Sequence, residues 1–133
     1  FSIKGIYNLI EKQHRDPLSY MLFLIQTHEG EIFGGLTSQL FRHTNLKWVR
    51  PLETYIVSIK PELKIYPEQK FTEYILNCDN ENISFINGQV GPCIKFDANL
   101  SSGVTYYNEY YRSPPLVGKN EFEIKVLEIF ILN

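Results

Sequence analysis

Leu22–Ser38 reads LFLIQTHEGEIFGGLTS: an apolar run, a turn carrying Glu29-Gly30-Glu31, and a second apolar run ending in Gly34-Gly35. Two strand-like runs joined by a short glycine-containing turn predict a β-hairpin from local chemistry alone. The first run extends back to Tyr20, and its nearly continuous apolar character over Tyr20–Thr27 predicts a central strand buried on both faces. Its partner is expected over Glu31–Leu36. The paired glycines invite comparison with a phosphate-binding loop, but no Lys follows and no GxGxxG spacing is present. Close backbone approach or a bulge at a strand end is the simpler use of two such residues.

Outward from the hairpin, the chain keeps the texture of short strands. Thr54–Lys60 alternates and stops at Pro61, and Leu63–Tyr66 stops at Pro67. Glu73–Asn77 and Ile83–Ile86 flank the polar turn Cys78–Asn82 as a second hairpin, and Cys93–Phe96 follows Gly91-Pro92. Ala98–Gly103 and Tyr111–Gly118 are expected to be loops. In Thr37–Pro51 periodicity is weak, so a loop with one helical turn is expected, pinned by burial of Trp48. Ile3, Ile6, Tyr7 and Ile10 share one helical face over Ser2–Gln13, with Ser2 as N-cap and Asp16-Pro17 as the stop.

The last strand, Glu121–Leu132, changes phase. Phe122, Ile124 and Val126 occupy one parity, then Leu127, Ile129 and Ile131 occupy the other. A β-bulge near Val126-Leu127, or a stretch buried on both sides, is needed to reconcile them. Without a bulge Glu128 would share a face with Phe122 and Phe130, and its neighbours Leu127 and Ile129 make it a candidate partly buried anchor. These elements predict a mostly β (α+β) fold of antiparallel strands with a few short helices, as one domain over residues 1–133.

Composition narrows the function. At 133 residues the chain can bury a core of its own, and nine Tyr with nine Phe favour sheets. Formal charge is −2 and basic residues do not cluster beyond His14-Arg15, which argues against a nucleic-acid partner. No apolar run approaches the roughly 18 residues of a membrane-spanning helix, and a cytoplasmic protein is expected. Beginning at Phe1 without a signal-peptide layout, the sequence is expected to be a piece of a longer protein.

Candidate chemistry is sparse. His14, His28 and His43 fall at a helix end, a turn and a loop, and the HExxH pattern fails because Ile32 stands four after His28. No metal or cofactor is expected. No GxSxG elbow occurs, and no Ser adjoins a His. Glu29/Glu31, Glu121/Glu123 and, across the fold, Asp97 with Glu128 are the carboxylate pairs, most of them expected to be solvated. Cys78 and Cys93 lie fifteen positions apart, a spacing that suits neither metal nor redox pair, and two reduced, half-buried thiols are expected. Tyr106, Tyr107, Tyr110 and Tyr111 crowd beside loops; alternate members should pack inward while the others offer a protein interface.

Several of these stretches, in this order, resemble the TLDc domain. Glu29-Gly30-Glu31-Ile32-Phe33-Gly34-Gly35 is similar to the family's glycine-containing core, and Ser58-Ile59-Lys60-Pro61 to the end of its next strand. Phe96-Asp97-Ala98-Asn99-Leu100, Glu109–Leu116 and the ending Phe122-Glu123-Ile124 with Leu127-Glu128-Ile129-Phe130 resemble its later segments. The glycine cluster before Asp97 is thinned to Gly88 and Gly91, as in a divergent, protist-like branch. The resemblance marks Gly30, Phe33, Gly34, Gly35, Asp97 and Glu128 as structural motif positions.

It implies a two-sheet antiparallel β-sandwich with small flanking helices and no catalytic residues. It also implies a protein partner, the catalytic sector of the vacuolar-type proton ATPase, whose assembly or activity the domain would regulate, or a part in oxidation resistance. The exposed candidates for contact are the hairpin tip His28, Glu29 and Glu31, and the loop with Tyr106, Tyr107, Tyr110 and Arg112. A structural module within a cytoskeletal or ciliary assembly, bound to filament proteins, is the alternative. A redox enzyme is a third reading, and it requires an exposed, acidified Cys78 or Cys93.

Overall fold

The structure is a computed structural model, and it describes residues 2–13, 20–38, 41, 48–79 and 81–132. His14, Arg15, Asp16-Pro17 and His43 therefore lie outside the described residues, as does most of the loop between Ser38 and Trp48. One helix and nine strands make up the described elements.

Helix α1 (Ile3–Gln13) begins where the sequence places its cap: the Ser2 hydroxyl accepts a hydrogen bond from the Gly5 amide at 3.2 Å. Its apolar face buries Ile3, Ile6 and Ile10. Tyr7 donates its hydroxyl to the Asp79 carbonyl at 2.9 Å, and burial pushes its ionisation well above the ordinary range.

The strands are β1 (Tyr20–Thr27), β2 (Ile32–Thr37), β3 (Thr54–Lys60), β4 (Lys64–Pro67), β5 (Leu76–Cys78), β6 (Asn82–Asn87), β7 (Pro92–Asp97), β8 (Ser102–Val104) and β9 (Glu121–Leu132). They form one antiparallel sheet in the order β4-β3-β2-β1-β9-β8-β7-β6-β5. The ladders thus draw a single sheet where two were expected. β8 was expected to be loop; three residues without apolar alternation carry no strand signal, and its pairing with β7 and β9 creates it.

β9 joins the two halves. Its first residues pair with β8 and the remainder with β1, so one long strand serves both. The halves then face one another across the core. Phe23 on β1 lies edge-on to Phe85 on β6 with ring centroids 5.1 Å apart, although the two strands are four steps apart in the order. In a flat sheet that separation would be about 19 Å. Phe23 also packs on Phe41 and Phe96, completing an aromatic centre. Phe41 is fully buried. Trp48, expected to be buried, is only half-buried and stands edge-on to Tyr74.

The phase change in β9 has the expected cause. Gln26 pairs with Val126 but Thr27 with Ile124, so Lys125 is the extra residue of a bulge. Below it Phe122 is core; above it Leu127, Ile129 and Ile131 pack against the core from the other parity. β1 alternates buried and half-buried residues, so only one of its faces is fully covered, not both. Glu128, opposite Leu24 on the outer parity, is exposed. The bulge aims Ile129 inward and Glu128 outward, which removes the buried-anchor expectation.

Candidate functional site

Thr27–Glu31 forms the hairpin tip, and its geometry follows from one residue. The Gly30 amide donates to the Thr27 carbonyl at 3.1 Å, and Gly30 sits at φ +101°, a conformation open to glycine and costly for other residues. The Thr27 amide donates to the Glu31 carbonyl at 3.0 Å, and the Thr27 hydroxyl donates to the Glu31 carboxylate. The His28 amide reaches across to the Glu123 carbonyl at 3.3 Å, tying the tip to β9. The tip backbone is therefore held from both sides, while the His28 and Glu29 side chains are exposed and Glu31 is half-buried. Farther along β2, the Gly34-Gly35 pair serves close approach: a Cβ on Gly34 would lie 1.8 Å from the Phe23 carbonyl oxygen, and one on Gly35 would strike the Phe85 and Phe23 rings.

Two grooves flank this tip. One, of about 660 Å³, runs between the tip, the outer face of β7–β9 and the segment containing Lys119. The other, of about 710 Å³, lies between the tip, the β3–β4 turn and Pro114-Pro115. Glu29 and Glu31 line both, so the tip is the ridge dividing them.

Asp97 lines the first groove and closes the turn that follows β7. Its carboxylate accepts the Ser101 amide at 2.9 Å, the Ser101 hydroxyl at 2.9 Å and the Ser102 hydroxyl at 3.2 Å. Burial alone would raise its pKa, but these hydrogen bonds together outweigh it and hold the carboxyl below the usual range. Asp97 and Glu128 are not brought together, since Glu128 lies on another part of β9, outside either groove. Glu29, Glu31, Glu121 and Glu123 line the same groove as Asp97, a convergence between segments some ninety positions apart in the chain.

The tyrosine-rich loop is built differently. Asn108 is fully buried; its Nδ2 donates to the Ile86 carbonyl at 3.2 Å and its Oδ1 accepts the amides of Tyr110 and Tyr111, both at 3.1 Å. Asn108 and Ser113 exchange both backbone hydrogen bonds, closing the loop, with Arg112 at φ +52°. Tyr111 is 2% exposed. Tyr106 lies against Gly91, where an added Cβ would come within 2.6 Å of its ring, and the Tyr110 carbonyl holds the Gln69 and Lys70 amides. Only Tyr107 and Arg112 of the candidate contacts here are exposed. Sequence reading passed over Asn108, although Asn beside a turn, able to accept from amides two and three residues on, is the signal for such a role.

Both cysteines are free and buried. Burial pushes the Cys93 thiol up to about 12, against a smaller lowering from Ser113. A thiol so placed is protonated at neutral pH and shielded from peroxide. Among the described residues, no cluster of three His, Cys, Asp or Glu is arranged to hold a metal ion. No described helix is long and apolar enough to cross a membrane.

A β-rich domain that presents a rigid ridge between two open grooves has the build of a protein-interaction module. The family comparison agrees: the sequence model of the TLDc domain matches residues 1–133, and the chain belongs to that family. A further similarity is to the GTPase-activating protein skywalker of Drosophila melanogaster, at 29% identity over 126 residues. That alignment covers 82% of this chain and 21% of the fly protein, so the chain spans about a fifth of that relative's length.

Proposed function

We propose that this TLDc domain is a non-catalytic docking module that engages its partner through the β1–β2 hairpin tip, and that the partner is the catalytic sector of the vacuolar-type proton ATPase. The observation carrying the reading is the tip itself: an exposed His28-Glu29 pair on a backbone hydrogen-bonded to both β1–β2 and β9, standing between two grooves. A preorganised ridge loses little conformational freedom when it docks. The pump enters through the family resemblance, with a cytoplasmic location that gives access to the pump's catalytic sector. In the same reading the halves of the sheet, facing across Phe23 and Phe85, make a β-sandwich whose two layers share β9.

Regulation of assembly or activity follows from occupying that surface, and any protection from oxidation would then be indirect. Buried, protonated Cys93 supports this over peroxide chemistry on the domain. The GTPase-activating role in the fly relative's name belongs to a protein of which this chain matches one fifth, and it is not assigned to the chain.

The test is gentle purification of the tagged full-length parent from its own cells, with partners identified by mass spectrometry. Stoichiometric recovery of pump catalytic and stalk subunits is the expected result. Recovery of filament proteins without pump subunits would replace this reading with a structural module of a cytoskeletal assembly.

A further inference from the structure

The floor of the groove beside β9 can be mapped from the strand registers. Glu121 pairs with Val104, and Val104 with Lys95; on the next outward row Glu123 pairs with Ser102. A chain laid across this floor from β9 to β7 therefore meets carboxylates, then an aliphatic side chain, then a lysine whose backbone lies about 10 Å from that of Glu121. The hairpin tip adds Glu29 and Glu31 along the groove, and Lys119 and Asp97 complete its charged lining.

The charge of this surface is uneven. Five carboxylates and two lysines line the groove, a net −3, whereas the whole chain carries only −2. The remainder of the molecule is thus slightly positive, and the groove holds the excess negative charge. Arg50–Glu68 is the ion pair found among the described residues, so among them no groove charge is ion-paired. Asp97 is hydrogen-bonded to Ser101 and Ser102 and Glu31 to Thr27, while Glu29, Glu121 and Glu123 are the exposed carboxylates. Opposite charges brought to a concave surface with a partly apolar floor gain both attraction and register, since the order of groups specifies direction as well as sign.

We infer that this groove is the docking site for a net-cationic protein segment, extended across β7–β9, with Lys or Arg side chains over Glu29, Glu121 and Glu123. The aliphatic stem of such a side chain covers Val104 while its charged end reaches the carboxylates. The inference rests on the docking reading above and gives the partner's contact its chemistry.

The probe is a fluorescein-labelled octapeptide alternating Lys and Ala, titrated with the chain at low salt and again at about 0.3 M, where screening is strong. Four proteins are compared: wild type, E121K/E123K in the groove, E73K/E81K as a control outside it with the same charge change, and K95E/K119E. Melting midpoints confirm that each is folded. Expected are at least tenfold weaker binding for E121K/E123K, less than twofold change for E73K/E81K, and tighter binding for K95E/K119E. Equal weakening of both Glu-to-Lys variants, or no binding by wild type at low salt, overturns the inference.

Pump capture by the full-length parent separates the two claims. If wild type recovers pump subunits and E121K/E123K recovers them equally, the groove is wrong and the docking reading stands. If wild type recovers none, the docking reading fails, and the peptide titration alone decides the groove.

Discussion

The hairpin tip and the tyrosine-rich loop look alike in sequence, both polar, turn-forming and set between strands, yet the fold uses them in opposite ways. At the tip, backbone hydrogen bonds and the Thr27–Glu31 side-chain pair at its base do the holding, and the His28 and Glu29 side chains are left to solvent. In the loop, side chains add to the Asn108–Ser113 backbone pair: Asn108 and Tyr111 turn inward and bind the segment to β6 and the core, leaving Tyr107 and Arg112 outside. Residue type alone does not mark an interface. What matters is whether the backbone can be satisfied without the side chains, because only then are the side chains free for a partner.

Substitutions should separate the two regions, with the largest effects in the loop. Tyr111→Ala removes a large buried ring and should cost about 3–5 kcal/mol, the usual range for aromatic truncation in a core, read by chemical denaturation. Asn108→Ala leaves the Ile86 carbonyl and the Tyr110 and Tyr111 amides without their partner. A loss of about 2–3 kcal/mol is expected, with faster hydrogen exchange confined to residues 108–113 if folding survives. A change under about 0.5 kcal/mol, the surface range, would show that the loop stands without its Asn.

The tip should respond more gently. Gly30→Ala forces a side chain into a left-handed backbone position with open space around it, so only conformational strain of about 1 kcal/mol is expected. Smallest of all, Glu128→Ala should shift stability by no more than about 0.5 kcal/mol, because the carboxylate is exposed. A larger loss would return Glu128 to the anchoring role its sequence neighbours suggest.

Much of this architecture was legible where neighbouring residues decide the outcome. Ser2 caps α1, alternation marks β3, the Gly30 turn makes the hairpin, and the parity switch in β9 announces a bulge, found one residue early at Lys125. What distant pairing decides was not legible. β8 exists because β7 and β9 lie on either side of Ser102–Val104, and the single sheet exists because β9 is long enough to serve both halves. The groove is the clearest example. Glu29 and Glu31, Asp97, and Glu121 and Glu123 look like separate solvated charges along the chain, and only the pairing of β1, β9, β8 and β7 brings them to one surface.

The most direct measurement is pump-subunit recovery by the full-length parent carrying either H28A/E29A or Y107A/R112A, quantified against wild type at matched expression. H28A/E29A should reduce recovery at least tenfold and Y107A/R112A less than twofold, with both domains retaining the wild-type melting midpoint. Loss of recovery in Y107A/R112A, with H28A/E29A unaffected, would contradict docking through the tip and move the docking surface to the tyrosine-rich loop.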